Sequence, residues 1–248
     1  MSTRHITAPD GIRLAVHELG EGSPVILLHG FMSSARGNWF SPRLAQALAA
    51  AGHRVFAPDA RGHGLSDAPT DLAAWPPDVM ATDALAVVRD LGLTDYDLVG
   101  YSMGGRTAMR LIARGLTPRR LVMGGMGASG VMSAGPRAAM FEDAIRHGAA
   151  AKDAFTGRAV DTLLAAQGLR REAMLGVLAS FQPTTEAEIR ATACSTLALM
   201  GVDDHDNGSA ETLAEWVADG RAQRTPGDHG TTVSTPEFRE ALVAFLTG

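Results

Sequence analysis

The 248-residue sequence has one cysteine, Cys194, so it can form no internal disulfide. A lone cysteine suits a reducing compartment, and Cys194 is expected as a small core-facing residue just ahead of a strand. No apolar run approaches the roughly eighteen residues that signal a bilayer crossing, so no membrane span is expected. The opening Met1-Ser2-Thr3-Arg4-His5 lacks the apolar stretch of a signal peptide. These absences together point to the cytoplasm. Positive charge is also short. Lys and Arg number 22 against 27 Asp and Glu, a net charge of −5, which gives nucleic acid no electrostatic footing. There is no HExxH, no paired-cysteine ligand pattern and no GxGxxG, so neither a metal nor another cofactor is expected. Repeats, low-complexity tracts and linkers are missing as well.

What is present reads as one large α/β domain with a small insert. Apolar residues make up 46% and charged residues 20%, an ordinary balance for a globular chain. Ile12 to His17 alternates like an edge strand, and Asp10-Gly11 turns it back on Thr3 to Ala8. Val25-Ile26-Leu27-Leu28 is a continuous apolar run, as expected of a strand buried on both faces of a parallel sheet. Similar runs recur at Val55, Leu98, Leu121 and Leu197. Helical spacing separates them, at Trp39 to Ala51, Asp78 to Leu91 and from Met103 to about Ala113. Glu211 to Ala218 is a further helix, and Arg221 to Thr225 a short strand. Thr235 to Leu246 closes the chain as a helix with Thr235 as N-cap and Pro236 in the first turn.

The grammar changes between Met126 and Thr192. Strand-like runs stop, and helical patterns fall at Arg137 to Ala151, Gly157 to Gln167 and Arg171 to Phe181. The expectation is a core of residues 1–125 and 193–248 with a helical lid over residues 126–192. Met126, Met132, Met140 and Phe181, with His29 from the core, are the candidate lining of a substrate pocket, because flexible thioethers adapt to apolar ligands.

The chemistry centres on Gly100-Tyr101-Ser102-Met103-Gly104. A serine hydroxyl is a weak nucleophile unless held out before a base. A sharp strand-to-helix elbow holds it out, and glycines on either side relieve the crowding. Met103 opens the helix, so its N–H is free to face a developing oxyanion. His29-Gly30-Phe31 follows another strand, and the Phe31 N–H is the second expected donor. His29 is expected to brace that loop. Asp59, Arg61 and Ser66 are expected to form a hydrogen-bonded loop with His63 among them. Asp203, Asp204 and Asp206 follow a later strand, and His229 follows the last. The order is thus nucleophile, acid, base, all at one edge of the sheet.

These stretches carry a resemblance to the α/β-hydrolase superfamily in its cofactor-independent serine esterase-like branch. The matching segments are His29-Gly30-Phe31, Asp59-Ala60-Arg61-Gly62-His63-Gly64-Leu65-Ser66, Gly100 to Gly105, Gly201-Val202-Asp203-Asp204 and Gly227-Asp228-His229. The resemblance implies an α/β-hydrolase fold, a mostly parallel central sheet of about eight strands flanked by helices, with a lid in the insert. It maps the triad acid to Asp204, three residues after the strand-ending Gly201, with Asp203 next and Asp206 weaker. Catalysis would then run through Ser102, Asp204 and His229, with Phe31 and Met103 as the oxyanion hole. The expected substrate is a small-molecule ester of small to medium acyl length. C–C cleavage of a diketo acid and perhydrolysis are alternatives on the same fold, and a hydrolase-like small-ligand receptor is the alternative from another class. A serine at position 102 argues against the dehalogenase and epoxide hydrolase branches, which carry aspartate there.

Overall fold

A computed structural model describes residues 1–248. Eight strands form one sheet: β1 (Ser2–Thr7), β2 (Arg13–Leu19), β3 (Ser23–Leu28), β4 (His53–Pro58), β5 (Asp97–Tyr101), β6 (Arg120–Gly124), β7 (Ser195–Gly201) and β8 (Gly220–Thr225). Their spatial order is β1-β2-β4-β3-β5-β6-β7-β8. The pairings of β1 with β2 and of β2 with β4 are antiparallel, and every other pairing is parallel.

The apolar runs of the central strands divide by parity. Side chains alternate along a strand, so Ile26, Leu98, Leu121, Met123, Ala198 and Met200 enter one core. Val25, Leu27, Val99, Val122, Leu197 and Leu199 enter the other. On the first face pack α2 (Val79–Asp90), α3 (Met103–Ala113) and α9 (Ala210–Trp216) through Val87, Met109 and Leu213. On the second pack α1 (Leu44–Ala50) and α10 (Pro236–Thr247) through Leu48, Phe238 and Leu242. The helix expected over Trp39 to Ala51 is two pieces, a π-helical turn at Arg36–Phe40 and then α1. Arg43, with φ of 64°, separates them.

Residues 126–192 contain no strand. They form α4 (Ala128–Met132), α5 (Gly135–His147), α6 (Ala154–Gln167), α7 (Arg171–Ala179) and α8 (Glu186–Arg190). The two ends of this stretch belong to the main core, since Met126, Ala128, Val131 and Ile189 are buried in the first cluster. Only α5 to α7 build a cluster of their own, from Ile145, Val160, Leu164, Met174 and Val177 closed over Trp75, Val79 and Met32. The periodic stretches here are long enough to read as helices. The five-residue helices α4 and α8 are shorter than two turns and leave no such pattern.

Candidate active site

Every loop of the site leaves the carboxyl end of a parallel strand, where such sheets place their working groups. At the end of β5 the backbone of Ser102 takes φ 53° and ψ −113°. A non-glycine residue held there stores strain. The elbow leaves no room beside it: a Cβ on Gly100 would lie 2.3 Å from the Gly104 oxygen, and one on Gly104 would lie 2.0 Å from the Leu28 oxygen. The two glycines are therefore steric requirements of the turn.

Ser102 Oγ is 2.9 Å from His229 Nε2. His229 Nδ1 is 2.9 Å from Asp204 Oδ2. The Asp204 carboxylate is buried, and its other oxygen accepts the Asp206 N–H at 3.2 Å. An ionised carboxylate on Nδ1 selects the tautomer with the proton there, leaving Nε2 to accept the serine hydroxyl. Asp203 and His205 are exposed. Asp206 is exposed too and pairs with Arg137.

Two further residues hold His229, and sequence reasoning assigned neither of them a role. The Tyr101 hydroxyl donates to the His229 carbonyl at 2.6 Å. Burial pushes its pKa well above the usual phenol range, with Asp204 adding to the effect, so it stays a donor. Asn207 donates to the Gly125 carbonyl at 3.0 Å, and the same amide nitrogen lies 3.4 Å from His229 Nδ1. Tyr101 adjoins the nucleophile and Asn207 ends the acidic cluster, so position was the signal available for both.

The Phe31 loop is braced from below. Asn38 Oδ1 accepts the Gly30 N–H at 2.7 Å. His29 donates from Nδ1 to the Gly30 carbonyl at 2.8 Å and accepts the Ala60 N–H at Nε2, 2.9 Å away. His63 donates to the Arg61 carbonyl at 3.0 Å and accepts the Met32 N–H at 3.2 Å. Both imidazoles thus use one nitrogen as donor and the other as acceptor, which requires the neutral form. Burial lowers the His29 pKa and, with His29 as a close neighbour, lowers that of His63 to about 3. The Phe31 N–H has no protein acceptor, and Met103 is the first residue of α3, so its N–H has none within the helix.

Asp59 and Ser66 do share one network, since Ser66 Oγ donates to the Asp59 carbonyl at 2.6 Å. Arg61 departs from that expectation. It turns the other way and grips Asp83 through two bonds of 2.8 and 2.7 Å.

A cavity of about 180 Å³ opens over Ser102 and His229. Its walls come from the Phe31 loop, from Met103, Arg106, Thr107 and Arg110 of α3, and from α5 to α7 and the turn after them. Phe181 lines it, as expected. The other expected lining residues do not. Met126 is fully buried beneath α3 against Gly105, and Met132 packs on the main core. Met140 faces outward, 37% exposed, because it falls on the solvent side of α5, where Phe141 is the inward residue. His29 lies behind Met103, beside a second and smaller void.

Asp204, Asp206 and His229 offer ligand atoms within 4.8 Å of one another, a spacing that could hold a cation. Each of these atoms already has a partner in Ser102, Arg137 or another member of the group. A cation there would have to displace the hydrogen bond between Asp204 and His229.

A strained serine, a histidine and a buried carboxylate in series, at the carboxyl edge of a parallel sheet, define a class of hydrolytic sites. The chain belongs to that class by descent as well: the family model for the alpha/beta hydrolase fold matches residues 23–174, more than half of it, and the chain is a member of that family. Among curated relatives, it is 38% identical over 122 residues to 2-hydroxymuconate semialdehyde hydrolase of Pseudomonas sp. (strain CF600), covering 49% of this chain and 42% of that one. It is 37% identical over 106 residues to bifunctional epoxide hydrolase 2 of Sus scrofa, covering 42% of this chain and 18% of that protein. These alignments span less than half the length of the relatives concerned. Among solved structures, an esterase from Exiguobacterium antarcticum superposes over the whole of both chains with a TM-score of 0.77 at 23% identity, a likeness of fold.

Proposed function

We propose that the chain is a serine hydrolase that cleaves carboxylic esters of small to medium acyl length. The observation that carries this reading is the hydrogen-bonded series Ser102, His229, Asp204 beneath an apolar cavity, with steps of 2.9 Å. His229 takes the Ser102 proton as Oγ bonds to the substrate carbonyl carbon, and the carbonyl electron pair moves onto oxygen. That oxyanion lies between the N–H groups of Phe31 and Met103. As the tetrahedral intermediate collapses, the C–O bond to the alcohol breaks and the alcohol leaves with the proton from His229. Water repeats the sequence on the acyl-enzyme, releasing the carboxylic acid and restoring Ser102. Helices α5 to α7 act as the lid, a smaller unit than residues 126–192, a reading supported by their separate apolar cluster and by their lining of the cavity together with the turn to Phe181. The cavity size favours short acyl chains.

The test is hydrolysis of 4-nitrophenyl acetate, butyrate and octanoate by the wild type and by Ser102→Ala. Wild type should prefer the two shorter esters, and Ser102→Ala should lose on the order of 10³-fold or more in kcat. Full activity in Ser102→Ala would remove the nucleophile from the proposal. A second reading, hydrolytic C–C cleavage, is supported by the similarity to the Pseudomonas hydrolase. Consumption of 2-hydroxymuconate semialdehyde with no ester turnover would favour it.

A further inference from the structure

One charge in the cavity wall lacks a counter-charge. Three arginines line the pocket: Arg106, Arg110 and Arg137. Arg110 pairs with Asp78 at 2.9 Å and with Glu188 at 3.5 Å, and Arg137 pairs with Asp206. Arg106 has no carboxylate partner. Its Nε donates to the Gly130 carbonyl at 2.7 Å, one Nη reaches Asn207 Oδ1 at 3.5 Å, and its guanidinium lies 5.1 Å from the centre of the Phe181 ring. The other Nη has no protein acceptor, and the residue lines the cavity. Burial, with the neighbouring charge of Arg137 acting in the same direction, lowers its pKa to about 10. A largely buried cation without a counter-charge is an unfavourable arrangement, and a bound anion relieves it.

Its position relative to the nucleophile follows from helix geometry. Ser102 is the residue from which α3 starts, and Arg106 lies four residues on, with its N–H bonded to the Ser102 carbonyl at 3.1 Å. Residues four apart share a face, and helical side chains lean toward the N-terminus. Ser102 and Arg106 accordingly line one and the same cavity. The carbonyl of Gly130, Asn207 and the Phe181 ring hold it in place before any ligand arrives, which limits the ordering cost of binding.

We propose that Arg106 forms an anion subsite, and that the ester hydrolysed at Ser102 carries a carboxylate within a few bonds of its scissile carbonyl. This rests on the serine-hydrolase reading above. A carboxylate suits the subsite better than a phosphate. Arg106 supplies a single unpaired charge with a planar fork that matches two carboxylate oxygens, and Arg137 is already neutralised by Asp206. The mostly apolar wall would leave the second charge of a phosphate unpaired.

The test compares charged and neutral twins at pH 7.5. The charged esters are mono-4-nitrophenyl glutarate, with the carboxylate on the acyl side, and 4-acetoxybenzoate, with it on the alcohol side. Their neutral twins are 4-nitrophenyl pentanoate and methyl 4-acetoxybenzoate. Wild type should favour at least one charged ester over its twin in kcat/KM. In Arg106→Gln that charged-to-neutral ratio should fall about 10- to 100-fold, mainly through KM, and Arg106→Lys should restore part of it. A ratio left unchanged because both twins fall together would reduce Arg106 to a structural role and overturn the proposal. So would a wild type that hydrolyses the neutral esters and favours neither charged one. Calorimetric titration of Ser102→Ala with monomethyl glutarate separates the two levels. Binding that weakens at least tenfold in the Ser102→Ala, Arg106→Gln double variant, with no ester turned over by wild type, would keep the subsite and sink the esterase reading. Turnover of the neutral esters with no such binding would do the reverse.

Discussion

At the scale of single residues, the site depends on positions where one atom more is too many. Gly104 packs so closely on the Leu28 carbonyl that a methyl group must push β3 and α3 apart. Gly104→Ala should therefore lower stability by about 2 kcal/mol or more, read from the urea midpoint, and should lose ester turnover even where it folds. The acid can be tested in the same way. Three acids crowd into residues 203–206, and only the Asp204 carboxylate reaches His229 Nδ1. Asp204→Asn would present an amide to that nitrogen and favour the wrong tautomer, so kcat should fall on the order of 10³- to 10⁴-fold. Asp203→Asn, on an exposed side chain, should stay within about twofold of wild type. A reversed result would move the acid role to Asp203. The family resemblance, applied from Gly201, pointed toward Asp204, but it could not exclude a neighbour one residue away. Burial and the direction of the side chain separate them, and both are properties of the folded loop.

At the scale of elements, the Asp59 to Ser66 loop is held by two separate devices. Asp59 ties the loop to β2 and to the Phe31 loop, with His17 Nε2 at 2.9 Å and the Ala35 N–H at 2.8 Å. Arg61 ties it to α2 through Asp83 and to the β-hairpin turn through Asp10 at 2.6 Å. Arg61 is 1% exposed. Arg61→Ala would strand Asp83 as a buried unpaired carboxylate, with an expected loss of about 3–5 kcal/mol in urea unfolding. The double variant Arg61→Leu, Asp83→Leu should recover much of that loss, since an apolar pair leaves no charge behind. Sequence reading put Arg61 in one network with Asp59 and Ser66 and missed its partner, Asp83. Asp83 sits within a helix pattern 22 residues away, where an acidic residue reads as a solvated face. The long helices and buried strands were legible because their apolar positions repeat. The methionines were not. Met126, Met132 and Met140 share a composition with pocket residues, yet none of them lines the cavity: Met126 is buried in the main core from the loop after β6, Met132 packs on that core, and Met140 falls on the solvent side of α5.

At the scale of the whole molecule, the buried histidines set the response to acid. His29 and His63 are held neutral, their pKa values lowered from about 6.5, in the case of His63 to about 3. Below pH 6.5 the unfolded chain binds protons that the folded chain refuses, so stability falls as pH falls. Each such histidine contributes a slope of about 1.4 kcal/mol per pH unit, extending for His63 down to its folded pKa. Ordinary carboxylates titrate near pH 4, so the window between about pH 4.5 and 6.5 reports chiefly on histidine. Urea midpoints measured from pH 7.5 to 4.5 should decline through that window. His63→Gln, whose amide can both accept from Met32 and donate to Arg61, should show a shallower decline. An unchanged slope in that variant would show that His63 is not held neutral.

The sequence by itself determined the class of fold. Apolar runs of strand length separated by helix-length periodicity admit a doubly covered parallel sheet and little else, and the spaced motifs place the working loops at one of its edges. Those signals are local, written in residues near each other in the chain. The tertiary structure alone decided which aspartate meets His229, that Tyr101 and Asn207 hold it, that α5 to α7 pack as a cluster of their own, and that Arg106 is left without a counter-charge. Each of these depends on the distance between residues far apart in sequence, and such distances exist only once the chain has packed.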